Sequence, residues 1–404
     1  MRDAEIPAGG VGRNLSGTNL ERAGDHNQRV TLHAIRVSGP VVRPELAQTT
    51  GLTAAAIANI TKRLLRYRLI LKAGRTRGSR GQPATRLVIN PDCCYSMGLN
   101  IDRDHITLVV VDFTGRVRAR SSREIKFALP ETVQTFFKRS AAPLLAKARI
   151  DESKLVGIGV AFPDDIQRAG LPDQPPEYAV WGTVAVERLL APTLSVPIIV
   201  ENDAAAAAMG EMQFGLGKQY QSFFYVLITA ALGGGLVIDG HYFRGAAGRS
   251  GELGWLNSRE ANGDPRPLQN IVSLSALYDN LATQGYRVSS PRGLLQLDEA
   301  AQRIVSSWIE TSVDALEDTL VGISCLINPE AILIGGRLPA ALVDRLAARI
   351  NERLRNYLGK IPAVAPVARA SMSDDAPAVG AAILAFSERF LPSRFALMNN
   401  AGVE

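Results

Sequence analysis

Cysteine is nearly absent from this chain: Cys93, Cys94 and Cys325 are the only three in 404 residues. Three thiols cannot build a disulfide framework. No two are spaced Cys-x-x-Cys, which excludes a cysteine-rich zinc site. Long apolar runs are lacking as well. The longest, from Tyr225 to Ile238, is broken by Gly233, Gly234 and Gly235 and falls short of the ~18 residues that span a bilayer. The first 30 residues are polar and arginine-rich, without the apolar stretch of a signal peptide. Wholesale disorder is excluded, because 46% of the residues are apolar and a large core is within reach. The expectation is a cytoplasmic protein with no membrane partner, its length allowing several domains of roughly 100–200 residues each.

Acidic residues are scarce at one end. Residues 1–90 hold 15 Lys and Arg against five Asp and Glu, whereas residues 91–404 hold 30 against 34. A basic front on a mildly acidic body suggests that only the front meets a polyanion. Residues 1–20 are expected to be flexible and residues 21–90 to form the basic module.

Within that module, Val30, Ala34 and Val37 recur at helical spacing, and Gly39-Pro40 ends the run. Pro44 suits the first turn of a second helix, Gly51 a tight turn after it, and Thr53 the cap of a third helix reaching about Tyr67. Two short helices joined by a glycine turn resemble a helix-turn-helix, with Ala47, Gly51 and Ile57 at the spacing the motif favours. Its second helix would enter the major groove and present Thr53, Ala54, Ala55 and Asn59 to base edges. Two strand-like runs, Leu69–Lys72 and Thr85–Ile89, flank a basic, glycine-rich tip and read as the wing of a winged helix. Residues 62–80 carry eight basic side chains and no acid. Lys62, Arg63, Arg75, Arg77 and Arg80, with Gln82, are the candidate backbone and minor-groove contacts. The plainer alternative is a solvated basic hairpin packed on the body.

From Pro91 on, strand-like and helix-like segments alternate in two sets, each opening on an apolar β meander. That pattern suggests two similar lobes with a ligand cleft between them. The expected lobes are 91–215 plus the C-terminal helix, and 216–375. Val200-Glu201-Asn202-Asp203-Ala204-Ala205-Ala206-Ala207, then Gly210-Glu211, resembles the central motif of the ROK family of bacterial sugar kinases and sugar-responsive repressors. Gly233-Gly234-Gly235 with Asp239-Gly240, Arg244-Gly245, Gly251-Glu252-Leu253-Gly254, Asn328-Pro329 through Gly335-Gly336, and Ala378-Val379-Gly380 resemble the same family in order. The resemblance implies a two-lobed α/β actin/hexokinase-like (ribonuclease H-like) domain, usually dimeric or tetrameric. A winged helix-turn-helix ahead of it resembles the repressor branch.

A sugar kinase needs a catalytic base, glycine turns that admit phosphates, and acceptors that hold the sugar. By the resemblance, Asp203 occupies the base position and Asn202 would bond a sugar hydroxyl; alternatively Asp203 merely caps a helix. The first phosphate turn is degenerate. It reads Asp102-Arg103-Asp104-His105, and no glycine occurs between Leu99 and Thr114. The three glycines at 233–235 and the pair at 335–336 remain, and packing would explain them equally well. Glu252 matches a sugar-binding acid, Trp255 replaces the histidine three residues on, and Gln269 stands near the place of a second acid. The segment 257–272, where the family carries a zinc loop, has no cysteine or histidine, so no metal and no cofactor is expected. Trp255 would stack on a pyranose or simply pack. Trp181 is weighed the same way, and His241 as a residue that satisfies a turn. The resulting expectation is a non-enzymatic, sugar-controlled transcriptional repressor that binds operator DNA and a small carbohydrate as a homodimer or homotetramer. The alternatives are a sugar kinase, a bifunctional kinase-regulator, and a DNA-binding scaffold with a vestigial cleft.

Overall fold

The computed structural model describes residues 20–75, 84–164, 166, 174–259, 265–372 and 375–392. Two compact units emerge: one up to Asn90 together with residues from Ser387 on, the other from Pro91 to Phe386.

The first unit opens with α1 (Leu20–Ser38), longer at its start than the apolar spacing indicated. Gly39, at φ 70°, ends it. Helix α2 (Arg43–Thr50) begins with Pro44 in its first turn, and the Glu45 carboxylate accepts the Val42 N–H at 3.0 Å. Gly51, at φ 70°, closes α2 with its N–H on the Ala47 carbonyl. A Cβ there would meet nothing within 4 Å, so glycine serves the left-handed backbone and not a tight contact. Helix α3 (Ala54–Arg66) follows, with Thr53 Oγ1 accepting the Ala56 N–H. Leu46, Ile57 and Leu64 are completely buried, with Leu32 and Ile35 of α1 almost so. Strands β1 (Ile70–Arg75) and β2 (Thr85–Ile89) pair antiparallel, and Val41 bridges to Leu87 on the far side of β2. Arg77, Arg80 and Gln82 lie outside the described residues.

In the second unit, β3 (Tyr95–Ile101), β4 (His105–Asp112) and β5 (Val117–Glu124) form an antiparallel meander, followed by α4 (Pro130–Ala148). Strand β6 (Leu155–Ala161), α5 (Val186–Leu190), β7 (Ile198–Glu201) and α6 (Asp203–Phe214) complete the first set. The second set repeats the pattern with β8 (Phe223–Ile228), β9 (Leu232–Ile238) and β10 (His241–Tyr242). A small antiparallel pair, β11 (Asn257–Arg259) and β12 (Pro265–Pro267), precedes α7 (Leu274–Thr283) and α8 (Glu299–Leu326). Strand β13 (Ala331–Gly336), α9 (Ala340–Leu354), β14 (Val367–Arg369) and α10 (Ala376–Phe390) end the fold.

The two five-stranded sheets have the orders β5-β4-β3-β6-β7 and β10-β9-β8-β13-β14. Each is an antiparallel meander with two parallel strands added beside its first strand. The helices cross over between the sets. Helix α6 follows β7 in the chain yet packs on β8 and β9. Helix α10 follows β14 yet lies on β3 and β6, where Cβ atoms at Gly98 and Gly159 would strike the carbonyls of Ala378 and Ala381. The two helices touch where a Cβ on Gly380 would meet the Ala206 carbonyl at 1.7 Å. Alanine-rich runs therefore let backbones approach and clamp the two sheets together. Among the described residues, no helix is long and apolar enough to cross a membrane.

Candidate functional site

The start of α6 organises the residues expected to hold a sugar. Asn202, not Asp203, is the helix cap: its Oδ1 accepts the N–H groups of Ala204 and Ala205 at 2.9 and 3.0 Å. Its Nδ2 donates to Asp164 at 3.2 Å. Capping thus consumes the oxygen that was expected to reach a sugar hydroxyl, and the reading of Asp203 as a mere cap is corrected. Asp203 is instead 8% exposed, with only a local bond from the Ala204 N–H. Burial and, next, the charge of Asp102 push its carboxyl up to about 7, against the opposing charge of Arg103.

Glu252, which lines a small cavity with Asn202 and Asp164 but not with Asp203, stands just before the 3-10 turn Leu253–Trp255. Arg249 Nε donates to Glu252 at 2.7 Å and lies 3.9 Å from Asp164. Arg244, after β10, pairs with Glu201 at the end of β7. The cavity between Asn202, Asp164, Gly234 and Glu252 measures only about 30 Å³, room for one or two waters. Arg249 and Asp164 are residues the motif reading missed, because neither type is distinctive on its own.

The glycines of β9 have packing duties. Cβ atoms at Gly233 and Gly235 would fall 2.9 and 2.6 Å from the Cβ atoms of Ala204 and Ala208 on α6, and one at Gly234 would fall 2.4 Å from the Gly251 carbonyl. Gly335 faces the Tyr225 hydroxyl, and Gly336, at φ 114°, faces the Ile228 carbonyl. The packing explanation accounts for both runs.

The turn expected to meet a nucleotide is a cluster of buried charge beside a cavity of about 260 Å³ lined by His105, Arg120, Glu124, Arg292 and Arg337. The turn between β3 and β4 closes through Asp102 N–H to the His105 carbonyl, with Asp102, Arg103 and His105 buried. Arg337, following β13 of the second sheet, is 6% exposed and donates to Asp104 at 2.8 Å and to Glu124. Burial alone would raise the Asp104 carboxyl; the bond from His105 and the charges of His105 and Arg337 outweigh it and hold it below the usual range. The charge of Asp104 is answered by Arg337, which the sequence did not single out. Asp102, Asp104 and His105 offer ligand atoms within 4.8 Å of one another, the one such group among the described residues. Arg337 and Arg103 already supply the positive charge there, so the donor set does not favour a cation. Asn100 Oδ1, Asp102 Oδ2 and Arg103 Nε are buried without hydrogen-bond partners, polar atoms left for a ligand or water.

The remaining candidates separate. Trp255 is 50% exposed beside the likewise exposed Leu256, so it is no core residue, and it does not line the small cavity. Gln269 lies against Gly254, also outside that cavity. Trp181 is 4% exposed, and its Nε1 donates to the Ala128 carbonyl, which makes it a packing residue. His241 Nδ1 meets the Asp239 carbonyl and satisfies a turn. Where a zinc loop was expected to be missing, β11 and β12 pair and the buried Leu268 bonds back to Leu256, which holds the segment by packing.

On α3, Thr53, Ala54, Ala55, Asn59, Lys62, Arg63 and Arg66 are all exposed. Ala55, Asn59, Lys62 and Arg66 follow helical spacing and share a face. Arg63 departs from the pattern, since Asp25 at 3.3 Å and Gln28 engage its guanidinium. Arg75 is exposed at the end of β1.

Twin sheets of one strand order, with helices exchanged across them, define a two-lobed protein of the actin and hexokinase class. The chain belongs to the ROK family, whose profile matches residues 96–388. It is similar to the xylose repressor of Bacillus subtilis (strain 168), 24% identical over 88% of this chain and 93% of that one. It is also similar to the DNA-binding transcriptional repressor Mlc of Escherichia coli (strain K12), 26% identical over 78% and 82% of the two chains. A solved ROK family transcriptional regulator, a homologue of Escherichia coli Mlc, superposes with a TM-score of 0.65 at 20% identity, over 91% of this chain and 98% of its own.

Proposed function

We propose that the protein is a sugar-responsive transcriptional repressor of carbohydrate genes and not a kinase. In this reading residues 21–90 are a winged helix, and α3 enters the major groove with Thr53, Ala54, Ala55 and Asn59 at base edges. Lys62, Arg63, Arg75, Arg77, Arg80 and Gln82 contact backbone or minor groove. One observation carries it: an exposed, acid-free face of α3 in a helix–glycine turn–helix arrangement, on a chain of the ROK family. Its similarity to a xylose repressor and to the repressor Mlc supports the reading.

The effector is a small carbohydrate held by Asp203 and Glu252, with Asn202, Trp255 and Gln269 as further candidates. Its differential affinity for open and closed lobes is the only energy available to alter operator binding. A 100-fold preference corresponds to ~2.7 kcal/mol, comparable to one or two base contacts. A homodimer or homotetramer would present paired wings to a two-fold operator. Fluorescence anisotropy with DNA from upstream of the gene tests the reading: specific binding that weakens steeply with salt is expected, and a flat salt response would contradict it.

Kinase activity is the second reading, favoured by the Asp203 carboxyl near 7, a suitable value for a base at neutral pH. The filled turn at Asp102–His105 and the ion pairs of Arg337 argue against it. ATP with a panel of sugars should show no phosphotransfer.

A further inference from the structure

Cys93 and Cys94 lie just inside the boundary between the two units, in the turn that leads into β3. Side chains of adjacent residues in extended chain point to opposite sides, which keeps neighbouring sulfurs apart. Here the two Sγ atoms are 3.6 Å apart, and neither is in a disulfide. The turn is pinned on both sides. Asp92 accepts the Tyr95 hydroxyl at 2.7 Å and Arg118 at 2.8 Å, and Lys154 donates to the Asp92 carbonyl. Cys93 is half-buried and Cys94 is 5% exposed, so a small oxidant meets Cys93 first.

We propose that this vicinal pair is a reversible oxidation site, closed by a hydroperoxide into a disulfide between adjacent residues. The Cys93 thiolate attacks a peroxide oxygen: an S–O bond forms, the O–O bond breaks, and with hydrogen peroxide the departing oxygen leaves as water after protonation. The Cys94 thiolate then attacks the Cys93 sulfur, forming the S–S bond and expelling hydroxide, which takes a proton. Two thiols and one hydrogen peroxide become one disulfide and two waters, with two electrons passing from sulfur to oxygen. Adjacent Cα atoms are held about 3.8 Å apart, below the ~4.4–6.8 Å of ordinary disulfides. The strained bond is easily reduced, which suits a switch and not a staple. Its ring stiffens the segment that joins the two units.

The test uses the full chain carrying Cys325→Ser, which removes the exposed third thiol at the end of α8. After brief hydrogen peroxide, the intact mass should fall by two hydrogens, both remaining thiols should resist alkylation, and dithiothreitol should restore them. Phenylarsine oxide, which must be held by both sulfurs, should add once and block both. Oxygen adducts without loss of hydrogen, a link between chains, two thiols that stay alkylatable, or no arsenical addition would each overturn the proposal. The same mass and alkylation readings on the unaltered chain need no variant to fold.

Discussion

The groups expected at a sugar side and at a nucleotide side hold charge in different ways. On the sugar side, acids stand at the start of a helix, and one of them, Asp203, is buried beside another negative charge. On the nucleotide side, a buried arginine from the second sheet answers two acids of the first. The first arrangement keeps acceptors in place, and its cost is felt by Asp203. The second sets a buried ion-pair cluster beside a cavity of about 260 Å³ lined by His105, Glu124 and Arg337.

Breaking the nucleotide side should have the largest effect. Arg337→Ala leaves Asp104 without its main external cation, and a loss of about 3–5 kcal/mol is expected by urea unfolding. Because the folded Asp104 pKa is depressed, that contribution is present above pH ~4 and disappears as pH falls below it. A penalty that persists unchanged in acid would mean the arginine acts through packing alone.

The sugar side should respond with the opposite sign. A carboxyl whose pKa is raised on folding costs stability as pH climbs from about 4 to about 7. Asp203→Asn should therefore stabilise the chain at pH 8, by up to ~4 kcal/mol, and be neutral near pH 4. A destabilised variant at pH 8 would show that the ionised carboxylate has partners that outweigh burial. The same change, or Glu252→Ala, should abolish any sugar-induced thermal shift while leaving operator affinity within about twofold.

Two smaller effects concern the first unit. Burial, and then Arg36, push His33 down to about 4. Stability of this unit should be full above pH ~6.5 and decline as pH falls toward 4, by up to about 3 kcal/mol, with His33→Gln flattening the curve. Asn59→Ala should cost ~1–3 kcal/mol at one operator base pair, whereas Arg63→Ala should cost less than Lys62→Ala because Asp25 already engages Arg63.

Much of this was legible in advance, and the exceptions have physical causes. Local signals carried well: Gly51, Thr53 and the apolar period of α3 mark their helices, and α8 begins and ends where its pattern does. The order of motifs also announced two like sheets. The C-terminal helix α10 was expected with the first set, but the packing of α6 on the second sheet was hidden, since an alanine run does not say which sheet it covers. Arg337 was missed for a related reason: its buried ion pairs join it to Asp104 and Glu124, more than 200 positions away, and alone it reads as surface. The role of Glu211 shows the converse. It stands in a conspicuous motif, yet its carboxylate accepts from Leu216, Ser371 and Met372 and serves to anchor the entry to α10.

One titration reaches the centre of the account: anisotropy of labelled upstream DNA against the full chain, repeated with sugars and sugar phosphates, each with and without ATP. The account predicts specific binding that at least one carbohydrate shifts by tenfold or more, unchanged by ATP and lost in sensitivity with Asp203→Asn. Binding no tighter than to random DNA, or turnover of ATP with any of the sugars, would contradict it.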